Sequence, residues 1–423
     1  MATDGDNKYA GPIDAVAVRV PENGMNRIWI VTLAVVIVMV DGFDLQAIGF
    51  VAPEIARSWG VAITAFGPVF SAALAGSMAG AMAAGSLTRL LGLRAVLVLS
   101  LLLFGGCTLA MAWTDALSSL AMLRFVAGLG LGATIPVVMT IVAANSSARL
   151  RATLVVVTLC GQPVGAILGG MLCSHFIPLH GWQFAFYLGG ALPLLLILPV
   201  LSISWSADLE PTQSSAGNRL PDLFSERLRA TTLLLWGSLF LSSLLLYIVV
   251  SWLPAALRSE GHSLQASVFA ISLFNVGGIA GALLLGPLMD RYGPLRVVPP
   301  VYVIAAVCLA LLDPLMGRQS LFLAMVLLGG LTAYGAGVAL GPTTLLLYPL
   351  PLRTLGTGWV MGIGRLGAAI GPWGAGLVLE STGAAISRLF YVAAIAAALI
   401  LLLLTTLARL SRRQAQDDGG LYS

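Results

Sequence analysis

Residues 28–52 read IWIVTLAVVIVMVDGFDLQAIGFVA. A helix of about 20 apolar residues crosses a bilayer, so this run is long enough to be a membrane span. Asp41 and Asp44 interrupt it, although a carboxylate at the bilayer centre costs about 2.5–3.5 kcal/mol on insertion scales. Because the two acids lie three residues apart, they share one face of a helix, and that face must meet protein or water. The stretch therefore predicts a membrane protein in which these acids have a function.

The composition extends this prediction to the whole chain. Of its 423 residues, 58% are hydrophobic and only 9% are charged, whereas a soluble domain carries about 25% charged residues. The four cysteines have no metal-ligand spacing, and the sequence contains neither a Gly-x-x-x-x-Gly-Lys phosphate loop nor a His-Glu-x-x-His zinc motif. We therefore expect a polytopic membrane protein that is not an enzyme and that needs no cofactor or metal.

Twelve apolar runs predict an all-α protein with twelve transmembrane helices. The runs cover residues 27–52, 64–87, 94–113, 118–143, 151–174, 183–203, 232–256, 265–288, 296–315, 320–347, 354–379 and 385–408. The one long polar interruption favours a linker between two halves. The predicted organisation is a terminal segment 1–26, a six-helix bundle 27–203, a linker 204–231, a second bundle 232–408 and a tail 409–423. Residues 1–25 are polar and predict no cleaved signal, so the first run is expected to remain as a span.

The loop arginines predict the orientation. Most basic residues fall in the loops on the side of the two termini, and the other side holds only Arg57, Arg258, Arg318 and Arg388. Cytoplasmic loops carry the excess of Lys and Arg. We therefore expect a multi-pass protein of the cytoplasmic (inner) membrane with both termini in the cytoplasm. The basic residues are dispersed among short loops, which does not favour a nucleic-acid partner.

The two halves resemble each other. Gly85, Gly92 and Arg94 after the second run recur about 200 residues later as Gly286, Gly293 and Arg296. The glycines of runs 5 and 11 repeat with a similar spacing. Two features that share one offset predict an internal duplication, with a substrate site near the membrane midplane between the halves.

Two arginines inside spans are the counterparts of the acids. Arg124 and Arg365 each offer a planar fork of donors that suits a carboxylate. Arg124 lies about six residues, or roughly 9 Å, into its span, so it could bind a substrate carboxylate, pair with an aspartate or snorkel to the interface. Arg365 could bind an anion or form a fixed hydrogen bond between helices.

The charges of these four residues favour a proton-coupled anion carrier. Burial disfavours an ionised carboxyl, and a second carboxylate nearby disfavours it further, so Asp41 and Asp44 are predicted to take up protons as a coupled pair. An anionic substrate adds one negative charge to the site, which a proton can cancel. The further candidates for substrate binding, by span position, are Gln162, Tyr247, Asn275 and Trp359. For the aromatic residues, ordinary packing is the alternative.

Several motifs resemble those of the major facilitator superfamily over essentially the whole chain. The loop motif Gly-x-x-x-Asp-Arg-x-Gly-x-Arg appears at 286–296, one residue longer at its end, and the glycine-spaced fifth run begins Gly161-Gln162-Pro163. Asp41-Gly42-Phe43-Asp44 in run 1, Arg124-Phe125-x-x-Gly128 in run 4 and Gly364-Arg365-Leu366-Gly367 in run 11 resemble the aromatic acid:proton symporter family. The resemblance implies a monomeric importer of small aromatic carboxylates such as hydroxybenzoates, coupled to protons.

The first loop motif departs from the family pattern. Arg89-Leu90 stands where the family has an aspartate followed by an arginine, and Asp290-Arg291 keeps the usual pair in the second copy. In the family such loop carboxylates are thought to latch helix ends in one conformation, so the resemblance implies conformational gating by Arg89, Arg94, Asp290 and Arg291. The reversed charge at Arg89 leaves open the alternative of an acid receptor or sensor that does not transport. An exporter of the same acids is a further alternative, because a sequence does not give the direction of transport.

Overall fold

The structure is a computed structural model that describes residues 24–146, 151–202, 220–226, 228–349 and 352–419. Within these ranges the chain is helical, with short turns and no β-strand. The predicted terminal segment 1–26 and the linker 204–231 lie mostly outside the described residues, and the division of the chain at these boundaries stays a prediction.

Six helices form the first half. They are α1 (Gly24–Trp59), α2 (Gly67–Leu91), α3 (Leu93–Met111), α4 (Leu117–Ala144), α5 and α6 (Gln183–Ser202). Helix α5 has two pieces, Arg151–Leu159 and Gly161–His180, which Cys160 separates.

Six further helices form the second half. They are α7 (Arg229–Ser259), α8 (Leu264–Tyr292), α9 (Pro294–Leu315), α10, α11 (Arg353–Thr382) and α12 (Leu389–Gly419). Helix α10 starts as Gln319–Gly329, continues as a π-helical segment at Gly330–Tyr334 and ends as Gly335–Leu347. The prediction of twelve transmembrane helices in two bundles is confirmed.

Eleven of these helices, as far as the described residues go, are long and apolar enough to cross a membrane by composition alone. The exception is α11, in which many glycines and Arg365 lower the mean hydropathy. Several helices also extend beyond the predicted spans, and α1 continues to Trp59 instead of ending at residue 52. Mean hydropathy identifies only the part of a helix that lies in the hydrocarbon core of the bilayer. The helix itself continues into the membrane interface, because its backbone groups remain hydrogen bonded there.

Glycines allow neighbouring helices to approach in equivalent ways in the two halves. A side chain at Gly165 of α5 would overlap the backbone of Met39 in α1, and one at Gly367 of α11 would overlap the backbone of Phe240 in α7. Small residues at such positions are what lets membrane helices pack backbone to backbone. The repeated contact supports the predicted duplication.

The halves meet near the face of the molecule at which α1 ends, which we call the opposite face. Glu54 at the end of α1 forms an ion pair with Arg258 at the end of α7. The ring of Trp252 in α7 meets Phe70 of α2 edge to face, with centroids 5.1 Å apart. Within the second half, Trp252 Nε1 also donates a hydrogen bond to the carbonyl oxygen of Pro372 in α11 at 3.2 Å. These contacts close the opposite face.

The other face, at which α1 begins and α12 ends, is here called the terminal face. Helices α2 and α11 touch near the opposite face, where Gly67 and Gly376 lie against each other. Toward the terminal face, Gly85 of α2 and Gly358 and Gly362 of α11 have open space where a side chain would begin. The halves are therefore joined at the opposite face, and these three glycines make no close contact nearer the terminal face.

Candidate functional site

Asp44 lies inside the first half, where it is fully paired. Its side chain and that of Arg124 are each 1% exposed, and Arg124 Nη1 lies 3.2 Å from Asp44 Oδ2. The same nitrogen donates to the Asp44 carbonyl oxygen at 3.1 Å, and Thr108 Oγ1 donates to Asp44 Oδ1 at 2.8 Å. Both carboxylate oxygens thus accept a hydrogen bond, and the arginine supplies the opposite charge. Arg124 pairs with an aspartate and does not snorkel.

Asp41 has a different environment. Gln162 Nε2 donates to Asp41 Oδ2 at 2.8 Å, and among the described residues nothing donates to the buried Oδ1. The helices approach closely here because Gly42 has no side chain to meet the Gln162 backbone. Asp41 and Asp44 share a face of α1, as the sequence predicts, but their side chains have separate hydrogen-bond partners on separate helices.

Arg365 joins the two halves. Its Nη1 donates to Ser77 Oγ of α2 at 3.1 Å, and its charge interacts with the carboxylate of Asp41. Arg365 therefore forms a hydrogen bond between helices, which is one of the two expectations. It also lies close enough to Asp41 to interact with its charge. Arg124 lies deeper in the first half and does not line the cleft described next.

A small cleft lies between the halves beside Asp41, and in this conformation its free volume of about 20 Å³ is roughly what one water molecule needs. Its walls come from α1, α5, α7 and α10, namely Gly42, Leu45, Gln46, Gln162, Leu246, Tyr247, Val250 and Tyr334. Tyr247 interacts electrostatically with both Arg365 and Asp41. Tyr334 ends the π-helical segment of α10, and such segments are frequent at functional sites. The cleft is mostly apolar with a few polar groups, as ligand sites usually are.

Of the predicted substrate-binding residues, Gln162 and Tyr247 line this cleft. Asn275 is buried behind it and forms a reciprocal hydrogen-bonded pair with Gln46. Trp359 is not on the cleft: its ring is 39% exposed and stacks on Trp236, with centroids 5.9 Å apart. Its position along the span predicted that it lines the site, but its side chain packs on Trp236 and not against the cleft.

The predicted gating residues lie at the terminal face. Arg94 at the start of α3 donates a hydrogen bond to the carbonyl oxygen of Leu201 in α6, within the first half. Arg291 is exposed and lies over the ring of Tyr292, 5.2 Å from its centroid. The side chains of Arg89 and Asp290 lie outside the described part of the structure. Gating by these four residues stays a prediction.

Sequence reasoning did not single out Gln46, Thr108 or Ser77. Gln46 lies in the quoted stretch of α1, and an uncharged amide in an apolar span is a signal that could have been used. Thr108 and Ser77 carried little signal, because hydroxyls in membrane helices commonly bond to their own helix backbone, as Ser77 Oγ also does to the Leu74 carbonyl oxygen.

Gly42 offers a direct test of this geometry. Replacing Gly42 by alanine places a methyl group against the Gln162 backbone, so α1 and α5 must separate. We expect Gly42→Ala to lower the free energy of unfolding by about 1–3 kcal/mol, the usual cost of overpacking, measured as thermal stability of the detergent-solubilised protein. Gly106→Ala in α3 is the matched control, because its new methyl group meets open space. Equal stability of the two variants would contradict the close approach.

Comparison with known proteins gives the same architecture. The sequence model of the Major Facilitator Superfamily matches residues 34–346 and 235–420. The chain is 34% identical over 381 residues to the 4-hydroxybenzoate transporter PcaK of Acinetobacter baylyi, covering 82% of this chain and 83% of that protein. It is 35% identical over 392 residues to a gallate transporter of Pseudomonas putida, covering 85% and 87%. A D-xylose-proton symporter has the same fold, with a TM-score of 0.75 at 14% identity over 89% of this chain and 97% of that one.

The family match and the relatives define the class of this protein: it is a multi-pass membrane transporter and not an enzyme. The chain belongs to the major facilitator superfamily and, within it, to the aromatic acid:proton symporter family.

Proposed function

We propose that this protein imports small aromatic carboxylates, such as hydroxybenzoates, together with protons by alternating access. It would act as a monomer in the inner membrane, with the terminal face in the cytoplasm. The observation that carries this proposal is the cleft between the halves: Gln162 and Tyr247 line it, Gln162 holds Asp41, and Tyr247 interacts electrostatically with Asp41 and Arg365. The relatives named above carry 4-hydroxybenzoate and gallate, which are hydroxylated benzoates.

The geometry gives the two acids different roles. Asp44 is held by Arg124 and Thr108, and we assign it to keeping α1, α3 and α4 together. Asp41 borders the cleft and has an oxygen without a described donor, so a proton can occupy that oxygen without displacing a hydrogen bond. Asp41 therefore becomes the proton carrier in this proposal.

Arg365 is the cation for the substrate carboxylate. It already interacts electrostatically with Asp41. When Asp41 is protonated, the arginine loses this negative neighbour and can bind an anion instead. Binding of a proton and of an anion then support each other, which is the coupling that a symporter requires.

The closed opposite face fits one end of the transport cycle. The Glu54–Arg258 ion pair and the contact between the rings of Trp252 and Phe70 must break for the cleft to reach the outside. Their place at the ends of α1 and α7 allows the halves to rock about the central cleft, as repeats in such carriers do. A receptor that does not transport would not need to open this face.

Arg365→Gln should weaken binding of 4-hydroxybenzoate by about tenfold or more, because a hydrogen bond to a charged group contributes about 1.5–3 kcal/mol. The uncharged 4-hydroxybenzamide serves as the comparison ligand, and its affinity should change little. Isothermal titration of the purified protein measures both. Arg388→Gln, at an exposed arginine of the opposite face, is the control. Equal losses for the acid and the amide would contradict a carboxylate contact.

Counterflow in proteoliposomes tests the function itself. Vesicles loaded with unlabelled 4-hydroxybenzoate should take up the labelled acid, and benzoates should compete better than aliphatic acids of the same charge. Binding without counterflow would favour the receptor alternative. Comparing accumulation of the acid under an inward and under an outward pH gradient distinguishes import from export.

A further inference from the structure

Gln46 and Asn275 form a pair of amides that crosses the interface between the halves. Gln46 Nε2 donates to Asn275 Oδ1 at 3.1 Å, and Asn275 Nδ2 donates to Gln46 Oε1 at 2.9 Å. Asn275 is 1% exposed, whereas Gln46 is only partly buried and lines the cleft. The residue from α8 thus supports a residue of α1 that a ligand can reach.

The hydrogen bonds leave capacity on Gln46 and little on Asn275. A primary amide has two N–H donors and an oxygen with two lone pairs. Asn275 uses both donors, since its Nδ2 also donates to the Ile271 carbonyl oxygen at 2.9 Å. In the described structure Gln46 uses one donor and one lone pair, so one N–H and one lone pair remain for a ligand in the cleft. A hydroxyl group, which both donates and accepts, matches this remaining pair.

The position of Gln46 relative to Asp41 fits a ligand that spans the cleft. They are five positions apart on α1, which corresponds to about 7.5 Å along the helix axis. Gln162, which holds Asp41, and Gln46 line the same cleft, with Leu45 and Tyr247 also on its walls. A carboxylate on the Asp41 side would therefore leave the far end of a benzene ring near Gln46.

We propose that Gln46, positioned by Asn275, binds a hydroxyl group on the ring of the substrate and so selects hydroxylated aromatic acids over unsubstituted ones. This inference rests on the proposed function, because it assumes that the cleft widens during transport and admits an aromatic carboxylate. A hydroxyl at the ring position far from the carboxylate is the group that reaches the free N–H and lone pair.

The test compares two ligands on the purified full-length protein by isothermal titration. Wild-type protein should bind 4-hydroxybenzoate about tenfold more tightly than benzoate, the effect of one well-placed hydrogen bond. Gln46→Leu should bring this ratio close to one, mainly by weakening 4-hydroxybenzoate. Gln319→Leu, at an exposed glutamine where α10 begins, should keep the wild-type ratio.

Two further comparisons keep the inference testable if Gln46→Leu does not fold. Gln46→Met has a similar shape without the amide and should show the same loss of preference. On the wild type, 4-methoxybenzoate, which accepts but cannot donate, should bind between the other two acids. Equal wild-type affinity for benzoate and 4-hydroxybenzoate, or an unchanged ratio in Gln46→Met, would overturn the role of Gln46 while the transport function stands. Failure of the wild type to bind any benzoate would instead reject the proposed function.

Discussion

Asp41→Asn should abolish accumulation of the acid under a pH gradient while exchange of internal for external acid continues. Asparagine has the shape of a protonated aspartic acid and can accept the hydrogen bond from Gln162 as Asp41 does. The site then stays in the state that binds the anion but cannot release a proton. We expect net uptake driven by the gradient to fall to the background level, and counterflow to remain within about an order of magnitude of the wild type.

Proteoliposomes from one preparation measure both rates with labelled 4-hydroxybenzoate outside: empty vesicles under a pH gradient report accumulation, and vesicles loaded with the unlabelled acid report exchange. The matched control is Asp115→Asn, which removes a carboxylate from an exposed position between α3 and α4 and should alter neither rate. If Asp41→Asn accumulated the acid under a pH gradient as well as the wild type does, Asp41 would not carry the proton.

Asp44→Asn should act mainly on stability. It leaves Arg124 buried without its counter-charge, in a place where both side chains are 1% exposed. Removing one partner of a buried ion pair costs about 3–5 kcal/mol, because the other charge remains desolvated. Thermal denaturation in detergent should therefore show a large loss of stability for Asp44→Asn, while Asp41→Asn should lose much less.

A double variant separates an ion pair from a specific need for Asp44. Asp44→Asn combined with Arg124→Gln replaces both charges by neutral amides that can still hydrogen bond to each other and to Thr108. We expect the double variant to recover much of the stability lost in the single one, because no uncompensated charge remains. Additive losses of the two single variants would show that the two side chains do not act as a pair.

The fold was predictable from the sequence because a membrane restricts the structures that can cross it. A bilayer allows only fully hydrogen-bonded helices or closed barrels, so the apolar runs indicated the helices and their order. The ends were less predictable. Helix α1 continues past the apolar run to Trp59, and the π-helical segment that ends at Tyr334 depends on how α10 packs rather than on its local composition.

The candidate site was predictable in its charges and less so in its pairings. Asp41, Asp44, Arg124 and Arg365 stand out because each is an ionisable group in an apolar span. Which acid meets which arginine depends on small angular differences around α1 and on close approaches such as that at Gly42. For the same reason span position suggested Trp359, and the actual direction of α11 excludes it from the cleft.

Gln46 is a neutral residue that was not predicted from the sequence to belong to the site. The free energy of placing an amide in the membrane is smaller than that of placing a charge there, so an amide is a weaker signal of a site. Gln46 nevertheless lies on the same helix as the two acids. Its partner Asn275 comes from the other half of the chain. Only the assembled structure brings the two amides together beside the cleft.

The measurement that tests the central claim most directly is uptake of labelled 4-hydroxybenzoate by wild-type proteoliposomes under an imposed pH gradient, acidic outside. If transport is coupled to protons, the acid should accumulate above its external concentration, and an ionophore that collapses the pH gradient should abolish this accumulation. The carboxyl group of free 4-hydroxybenzoate also responds to pH, so the gradient can act on the acid without the protein. Uptake by protein-free liposomes is therefore subtracted as the baseline. Uptake that reaches the same level with and without the gradient would contradict proton coupling.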